Sequence, residues 1–468
     1  MAAGKGTRMK SARPKVLHKL AGRSLLQHVL QTVAGLGADG IVVITGHGAD
    51  QVEAAVSAPR LQFVRQVPQL GTGHAVQQAA PALHAEGTTL ILNGDVPLIE
   101  AATARALVEA CAGTRLALLT VDLADPSGYG RIVRGDPAGR PAHEGGRVHG
   151  IVEHKDANPA EKLIHEVYTG MMAAPTAHLK RWIAALEKDN SQDEFYLTDV
   201  VAMAVADGVP VVTAKAASET EVLGVNSPSQ LADLERRMQR QQATALLEAG
   251  VRLVDPARFD LRGELLCGSD VEIDVNCVFE GQVSLGDGVR VGANCVIRNA
   301  IIAANAVIHP FTHIDGEALG VRVGAGSVIG PFARLRPGAV LLEDVHVGNF
   351  VEVKNSTLAK GAKANHLAYL GDATVGERVN FGAGAITANY DGANKHRTVI
   401  GNDVHVGSNC VLVAPITLGD GATVGAGSTL TKDAPADQLT VSRAKQMSLA
   451  GWKRPIKRPV KQPIKPTK

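Results

Sequence analysis

The chain has 468 residues, enough for two or three domains, and its 48 basic and 46 acidic side chains leave a formal net charge of +2. That balance gives no electrostatic case for binding nucleic acid or an anionic membrane. No apolar run reaches the ~18 residues of a membrane span, and no signal peptide is visible. The five cysteines are widely spaced, so they predict buried thiols in a reducing cytoplasm rather than disulfides or a zinc site.

A glycine-rich segment with flanking cations opens the chain, MAAGKGTRMKSARPK at residues 1–15. Gly4 and Gly6 would let the backbone approach an anion closely, and Arg8 and Lys15 would neutralise phosphate charge. Such loops normally follow a buried hydrophobic strand, yet here only Met1 precedes the loop. We therefore expect a start site assigned too late, or a truncation, with the first strand of the sheet missing.

Up to about residue 225, short aliphatic runs alternate with helical patterns. The strands are predicted at residues 41–45, 89–93 and 116–121, and helices at residues 25–36 and 101–112. This alternation predicts a mostly parallel α/β sheet, in which ligands bind beyond the carboxyl ends of the strands. Residues 229–249 contain no Gly or Pro and are polar, which predicts one connecting helix.

From Val271 the sequence changes to a repeat of six residues. Aliphatic or aromatic residues recur at Ile273, Phe279, Leu285, Val291, Ile297, then at Val323, Ile329, Leu335, Leu341, Val347, Val353, and again at Ile400, Val406, Leu412, Leu418, Val424, Leu430. A second series of small or aliphatic residues lies four positions further on, at Cys277, Val283, Val289, Cys295 and Ile301. Positions six apart lie about 240° apart on an α-helix but on one face of a strand. The repeat therefore predicts a parallel β-helix.

The six-residue repeat is interrupted at residues 315–319, near residues 370–375, and most visibly at residues 388–398 (ANYDGANKHRT). Loops that leave a solenoid are the usual place for a site. The chain ends in a Lys/Pro-rich tail at residues 453–468, which predicts a disordered segment; contact with an anionic partner or nucleotide is the alternative.

Several motifs together resemble sugar-1-phosphate nucleotidyltransferases: the opening AAGKGTRM…PK run, LGTGHA at 70–75, NGDVPL at 93–98, GYGRI at 128–132, GIVEHKDA at 150–157, YLTD at 196–199 and GVN at 224–226. With the second half, the chain resembles the bacterial bifunctional N-acetylglucosamine-1-phosphate uridylyltransferase/glucosamine-1-phosphate N-acetyltransferase family. Members make UDP-N-acetylglucosamine for peptidoglycan and lipopolysaccharide synthesis.

The resemblance implies α/β plus all-β architecture: a Rossmann-like uridylyltransferase domain at residues 1–228, a linker helix at 229–249, a left-handed parallel β-helix acetyltransferase at 250–452 and the basic tail at 453–468. It also implies homotrimers with acetyltransferase sites between neighbouring subunits. Acetyl transfer would then require assembly, because one chain would not complete the pocket.

In uridylyl transfer, a sugar phosphate attacks the α-phosphorus of UTP and pyrophosphate leaves. The phosphate monoester has a second pKa of about 6, so it needs no general base, and positioning and charge neutralisation supply the rate. By resemblance, Arg8 and Lys15 hold the triphosphate, and Asp95 and Asn226 bind Mg²⁺. The resemblance assigns the uridine to Ala2, Ala3, Gly4, Gln66, Gly71 and Thr72, and the sugar to Gly130, Glu153 and Asn226.

Two features depart from the family pattern. The family usually has Asn before the Thr-Gly of its sugar-binding strand, whereas this chain has Tyr168. One expected sugar contact is therefore absent, and Tyr168 is not assigned to the site. The Gly/Pro-rich stretch at residues 134–146 is longer than usual, which predicts an extended surface hairpin.

In acetyl transfer, a sugar amine must lose a proton, and histidine titrates in the useful range. His366, within KANHLAYLGDA, matches the family's base. By resemblance, the amino-sugar phosphate contacts Arg336, Lys354, Tyr369, Asn380 and Lys395, and acetyl-coenzyme A contacts Asn389, Tyr390, Ser408, Ala426 and Arg443. Glu352, two residues before Lys354 on a predicted strand, is expected to polarise this site.

Two other interpretations stay open at this point. The chain is a single-activity sugar nucleotidyltransferase whose β-helix serves assembly or regulation, or it is a solenoid scaffold without catalysis. The HLAYLGD and NYDGANK strings argue against the first alternative, because packing of coils requires neither. Retention of Asp95, Asn226 and His366 argues against the second.

Overall fold

The computed structural model describes residues 1–135, 146–190 and 192–457. The predicted hairpin at 134–146 and the tail from residue 458 lie largely or wholly outside the described residues. By contacts the chain forms two compact units, Met1–Ala318 and Leu319–Lys468. The domain boundaries predicted at residues 228 and 250 stay a prediction.

The N-terminal part of the first unit alternates helices and strands. Its α-helices are Leu25–Ala34, Ala49–Ala55, Thr72–Ala79, Ala101–Cys111, Thr176–Ala184, Asp199–Ala206 and Pro228–Glu248. Its strands are Lys19–Leu20, Arg23–Ser24, Ile41–Thr45, Leu61–Arg65, Thr88–Ile91, Leu116–Asp122, Gly130–Gly135, Arg147–Val152, Glu166–Pro175 and Val211–Lys215. Short 3₁₀ turns lie at Thr7–Met9, Lys15–Leu17, Ala80–Ala82, Glu161–Leu163, Thr220–Val222 and Pro256–Arg258.

The main sheet is mixed, so the prediction of a mostly parallel sheet is wrong. The long strand Glu166–Pro175 runs antiparallel to both Thr88–Ile91 and Leu116–Asp122. It follows the antiparallel strand pair Gly130–Gly135 and Arg147–Val152, which reverses the chain direction. Among the described strands of this sheet, Val211–Lys215 alone forms a parallel pair, with Leu116–Asp122. Alternation of helix and strand patterns carries no information on such a reversal.

Residues 1–3 lie between two separate pieces of sheet. Ile41–Thr45 pairs in parallel with Leu61–Arg65 as a two-stranded sheet of its own. The backbone N–H of Ala2 donates to Ile44 O at 2.8 Å, and on the other side Gly94 N–H donates to Met1 O at 2.8 Å. The short segment thus occupies the position that we expected a first strand to fill, and bridges the two pieces at the end nearest the glycine-rich loop.

Buried polar contacts join the helix Pro228–Glu248 to the first coils of the β-helix. Gln239, which is 1% exposed, donates from Nε2 to Leu261 O at 3.0 Å. Its Oε1 accepts the backbone N–H of Leu261 at 2.6 Å. Because the nitrogen and the oxygen of this carboxamide both bond to one strand residue, the helix is fixed in register against the strand Phe259–Cys267.

Short parallel strands form the rest of both units. In the first unit they are Arg252–Leu253, Phe259–Cys267, Glu272–Ile273, Cys277–Leu285, Arg290–Val291, Val296–Ile302, Val307–Ile308 and His313–Asp315. In the second they are Val321–Val323, Val328–Ile329, Arg334–Leu335, Val340–Leu341, His346–Asn349, Glu352–Lys354, Thr357–Leu358, Lys363–His366, Tyr369–Gly371, Ala373–Val375, Asn380–Phe381, Ile386–Ala388, Thr398–Ile400, His405–Val406, Val411–Val413, Ile416–Leu418, Thr423–Val424, Thr429–Leu430 and Leu439–Thr440.

The predicted β-helix repeat is confirmed, because every residue of the main six-residue series is buried. One residue of the second series is wrong: Ile301 is 53% exposed, and Ile302 is buried in its place. The register between Cys277–Leu285 and Val296–Ile302 shifts by one residue after Glu280, so that Leu285 pairs with Ile302. The later strand reaches the same corner in one residue fewer, and Ile301 therefore faces outward beside Ser284. Within the described residues, no helix is long and apolar enough to cross a bilayer.

Candidate functional sites

The glycine-rich loop brings Lys15 back against the start of the chain. Gly6 has φ +61°, and a Cβ there would lie 2.7 Å from Lys15 Cβ. Only glycine accommodates both this backbone conformation and this approach. Gly4 is exposed, and a Cβ there would meet nothing within 4 Å. The loop therefore leaves open space at Gly4.

A cavity of about 370 Å³ lies next to this loop. Predicted site residues line much of it: Ala2, Ala3, Gly4, Lys15, Gln66, Gly71, Thr72 and Asp95. Gln66 follows the strand Leu61–Arg65, and Asp95 follows Thr88–Ile91. The site thus lies beyond the carboxyl ends of strands, as predicted.

The Lys15 ammonium lies between the two predicted metal ligands. Its Nζ donates to Asp95 Oδ2 at 2.5 Å and to Asn226 Oδ1 at 3.1 Å. A carboxylate and a carboxamide oxygen thus converge on one cation, and oxygen donors of this kind suit Mg²⁺. In the described part of the chain, no group of three or more His, Cys, Asp and Glu side chains could hold a metal. The two converging oxygens of Asp95 and Asn226 fit a Mg²⁺ ion, which would take its other ligands from phosphate and water.

Glu153 and Gly130 lie together and are not among the residues that line the cavity. A Cβ on Gly130 would lie 3.7 Å from the Glu153 carboxyl group, and 2.7 Å from Ile151. Burial raises the pKa of Glu153, while a hydrogen bond from Thr198 Oγ1 at 3.3 Å opposes that shift. Arg8 is exposed on the turn Thr7–Met9.

Tyr168, the residue that departs from the family pattern, is buried. Its hydroxyl has no hydrogen-bond partner among the residues that the structure describes. Burial raises the pKa of this phenol strongly, and the nearby Glu153 carboxylate raises it further. The tyrosine thus places a polar oxygen in the interior near Glu153, within a cluster of apolar side chains.

Several residues that line the cavity were not predicted from the sequence: Met1, Val16, Gln69, Ala75, Asn93 and Glu194. Gln69 donates from Nε2 to Ala3 O at 2.6 Å, which fixes the loop. Asn93 lies against Gly170, where a Cβ would come within 2.4 Å of its Nδ2. Asn93 belongs to the NGDVPL motif, so its position was a signal that we did not use. Nothing in the sequence distinguishes Gln69 or Glu194.

In the second unit, three predicted phosphate contacts form a cluster of cations. Arg336 donates its backbone N–H to Val353 O at 2.9 Å, which sets it beside Lys354 on the neighbouring strand. The nearby Lys395 ammonium, burial and the Arg336 charge lower the pKa of Lys354, in that order. Glu352 accepts from Arg336 Nη1 at 2.8 Å and from Arg334 Nη1 at 3.2 Å. Cations that repel one another in this way are relieved by an anion such as a phosphate.

The lowered pKa of Lys354 predicts a pH dependence of phosphate binding. Because the ammonium is the binding form, affinity for a sugar phosphate should fall as pH rises, at lower pH than an ordinary lysine with a pKa of about 10.4 would cause. Replacing Lys395 by methionine removes the largest cause, so the fall should move to higher pH. Calorimetric titration with glucose-1-phosphate, which has no amine, measures this. An identical pH dependence in both proteins would contradict the prediction.

His366 and Tyr369 lie on either side of one corner of the coil. His366 ends the strand Lys363–His366 and is exposed, and Tyr369 begins the next strand. His366 Nδ1 lies 2.9 Å from Asn349 Oδ1 on the preceding coil. Asn380 pairs with Lys363 on the same sheet as His366. Tyr369 pairs with Glu352 and so belongs to the strands that carry Lys354.

The loop that interrupts the repeat is an ordered turn. Asp391 accepts backbone N–H groups of Asn394 and Ala393, and contacts His396 Nε2 at 2.6 Å; these hydrogen bonds, with Asn394 first, lower its pKa strongly. Tyr390 and Lys395 form an isolated bridge across the turn. Lys395 is thus presented to Lys354 by a structured loop.

Asp372 holds this loop to the coil. Its buried carboxylate accepts a hydrogen bond from Nδ2 of Asn355 at 2.5 Å and another from Nδ2 of Asn389. Asn389 is the residue that begins the loop. Asn389 is itself buried, and its backbone O accepts His396 N–H at 2.8 Å. The side chain of Asn389 therefore anchors the loop, and its predicted contact with acetyl-coenzyme A stays a prediction.

Replacing Asp372 by alanine should loosen the loop. Hydrogen bonds to a charged group contribute about 1.5–3 kcal/mol each, and two amide groups would lose their acceptor. We expect a lower melting temperature of the β-helix and faster proteolysis within residues 389–397. The matched control is Asp403→Ala, which removes an exposed ion pair with Arg378. Equal protease sensitivity of both variants would rule out the anchoring role.

Three of the predicted acetyl-coenzyme A contacts lie on successive coils. Ser408 O accepts Gly427 N–H at 2.8 Å, and Ala426 O accepts Arg443 Nη1 at 2.8 Å. A Cβ on Gly407 would lie 2.5 Å from Ala426 N. Tyr390 is 61% exposed and donates its hydroxyl to Gly392 O at 2.6 Å.

Models of known families match three parts of the chain. The MobA-like NTP transferase domain matches residues 1–253. The GMPPB C-terminal domain matches residues 261–349, and the bacterial transferase hexapeptide (six repeats) matches residues 397–432.

Curated relatives match over almost the whole chain. The bifunctional protein GlmU of Methylibium petroleiphilum is 76% identical over 461 residues, which cover 98% of both chains. The protein of the same name from Polaromonas naphthalenivorans is 67% identical over 98% of this chain and 97% of its own. That of Janthinobacterium sp. is 58% identical over 98% of both. The resemblance read from the motifs is thereby confirmed, and the chain belongs to the family of bifunctional GlmU proteins.

Proposed function

We propose that the chain catalyses acetylation of glucosamine-1-phosphate and then uridylyl transfer to the N-acetylglucosamine-1-phosphate formed. The observation that carries this proposal is the presence of two separate anion sites in one chain. One contains Lys15, Asp95 and Asn226 beside the glycine-rich loop, and the other contains Arg336, Lys354 and Lys395. A nucleotidyltransferase with a structural β-helix would have no use for the second cluster. We also propose a cytoplasmic location, which the free cysteines, four of them buried, support.

In the first domain, the phosphate oxygen of the sugar attacks the α-phosphorus of UTP. The new O–P bond forms as the bond between the α-phosphorus and the bridging oxygen breaks, and pyrophosphate leaves with the electron pair. Lys15 and Arg8 neutralise the phosphate charge, and the Gly4 backbone admits it closely. Mg²⁺ held by Asp95 and Asn226 would supply further charge neutralisation. Ala2, Ala3, Gln66, Gly71 and Thr72 orient the uridine, and Gly130, Glu153 and Asn226 the sugar.

In the second domain, the amine of the sugar attacks the thioester carbonyl of acetyl-coenzyme A. The C–N bond forms and the C–S bond breaks, with the amine proton passing to His366 and then to the departing sulfur. The phosphate of the sugar is held by Arg336, Lys354 and Lys395. Its amine is oriented by Tyr369 and Asn380. Acetyl-coenzyme A contacts Asn389, Tyr390, Ser408, Ala426 and Arg443.

We propose that three chains assemble through the β-helix. Phe332 and Phe350 stack at successive corners with ring centroids 5.4 Å apart, and they are 47% and 57% exposed. Leu367, next to His366, is 61% exposed at the following corner. All three have φ between +50° and +57°, a conformation unfavourable for such side chains. An apolar column of this kind beside a site favours contact with another subunit.

Two assays on one preparation test the proposed function. Pyrophosphate release is measured with UTP, N-acetylglucosamine-1-phosphate and Mg²⁺, and thiol release with acetyl-coenzyme A and glucosamine-1-phosphate. We expect both activities. Pyrophosphate release without thiol release would favour the single-activity alternative, and neither activity would favour the scaffold. Sedimentation at the assay concentration tests the trimer.

A further inference from the structure

Asn349 is a polar residue that the proposed function does not use. It ends the strand His346–Asn349, and His366 ends the next strand of the same sheet, Lys363–His366. The two residues are direct register partners in the parallel ladder. Backbone hydrogen bonds fix the pair, because Leu367 N–H donates to Asn349 O at 3.0 Å. The register of the ladder therefore places the two side chains next to each other, and Nδ1 of His366 lies 2.9 Å from Oδ1 of Asn349.

The contact determines which nitrogen of His366 carries the proton. The carboxamide Oδ1 of Asn349 accepts hydrogen bonds and cannot donate them, so Nδ1 of the imidazole must be the donor. In a neutral imidazole only one nitrogen carries hydrogen, and Nε2 is then left with a free lone pair. That nitrogen is the one available to take a proton from the amine.

The geometry points to Asn349 as a positioning residue for acetyl transfer, which holds the Nδ1–H of His366 so that Nε2 acts as the base. This inference rests on the proposed function of His366. Without the acceptor, the imidazole would populate both tautomers and could rotate about χ2, and each change would remove Nε2 from the reactive position. The other charged or titratable residues of these two strands, His346 and Lys363, pair with each other three residues away.

Two substitutions at position 349 separate positioning from structure. Asn349→Leu removes the acceptor at similar volume, and kcat for acetyl transfer should fall roughly tenfold to a hundredfold with KM little changed. Asn349→Asp keeps an acceptor and adds a negative charge that stabilises the imidazolium. It should therefore retain substantial activity, with the acidic limb of the pH–rate profile moved to higher pH.

The chain supplies its own controls. Asn402 is another exposed asparagine of the β-helix, and its Oδ1 accepts the backbone N–H of Glu377 at 2.8 Å. Asn402→Leu should leave kcat unchanged. Pyrophosphate release by each variant reports whether the rest of the protein is intact.

The outcomes distinguish a failure of His366 as the base from a failure of Asn349 as its positioning residue. Full acetyl transfer by His366→Ala would overturn the proposed base itself. Loss in His366→Ala with wild-type kcat in Asn349→Leu would overturn the positioning role alone. An Asn349→Asp protein with an unshifted pH profile, or with as little activity as the leucine variant, would also overturn it, because a retained acceptor should hold the same tautomer.

Discussion

Replacing His366 by alanine is expected to lower kcat for acetyl transfer by about 10²–10⁴-fold, the usual contribution of a general base. The amine of glucosamine-1-phosphate would have no neighbouring group to receive its proton as the C–N bond forms. KM for both substrates should change little, because the cations that hold the phosphate, Arg336, Lys354 and Lys395, are untouched. The measurement is thiol release from acetyl-coenzyme A at saturating substrates.

Two internal comparisons make this result specific. His346, three residues before Asn349 on the preceding coil, is the matched histidine, and His346→Ala should keep normal acetyl transfer. Pyrophosphate release by the His366 variant should equal that of the unmodified protein. If His366→Ala keeps its kcat within a factor of about two, another group collects the proton and the assignment is wrong.

Replacing Asp95 by asparagine should lower uridylyl transfer by about 10²–10³-fold, since a bound metal ion contributes several kcal/mol and each 1.36 kcal/mol is a factor of ten. The substitution keeps the shape of the side chain and removes the charge next to Lys15 and Asn226. Affinity for Mg²⁺ with UTP should weaken, and calorimetric titration measures that separately from turnover. Acetyl transfer should be unaffected.

The matched control for Asp95 is another aspartate of the first unit that, like Asp95, pairs with a lysine. Asp122 ends Leu116–Asp122 and forms an ion pair with Lys215. If Asp95 served only its ion pair with Lys15, Asp122→Asn and Asp95→Asn would behave alike. Unchanged pyrophosphate release by Asp95→Asn would contradict the role of Asp95 as a ligand of Mg²⁺.

The β-helix could be predicted from the sequence because its repeat is tied to burial residue by residue. The residues of the main six-residue series, from Ile273 to Leu430, are all buried, as the spacing requires. The exception, Ile301, could not be predicted, because the shortened segment between Ile297 and Ile302 shows only in the pairing of neighbouring strands. The antiparallel direction of Glu166–Pro175 could not be predicted either, because the direction of a strand depends on partners that are distant in the sequence.

The candidate sites, too, could be predicted from the sequence only in part. Lys15, Asp95 and Asn226 are far apart in sequence, and only the family motifs predicted that they meet. The roles of Asp372 and Asn349 were not predicted, although Asp372 lies within a quoted motif. Each acts on a residue about one coil away, Asn389 or His366, and that distance becomes a contact only through the register of the ladder.

The central claim is that one chain performs two consecutive transfers at two separate sites. Glucosamine-1-phosphate, acetyl-coenzyme A, UTP and Mg²⁺ supplied together should yield UDP-N-acetylglucosamine, which chromatography with mass detection quantifies. An equimolar mixture of the His366→Ala and Asp95→Asn proteins should form the product far faster than either variant does alone. A rate for either variant alone equal to that of the unmodified chain, or no product from the unmodified chain, would contradict the account.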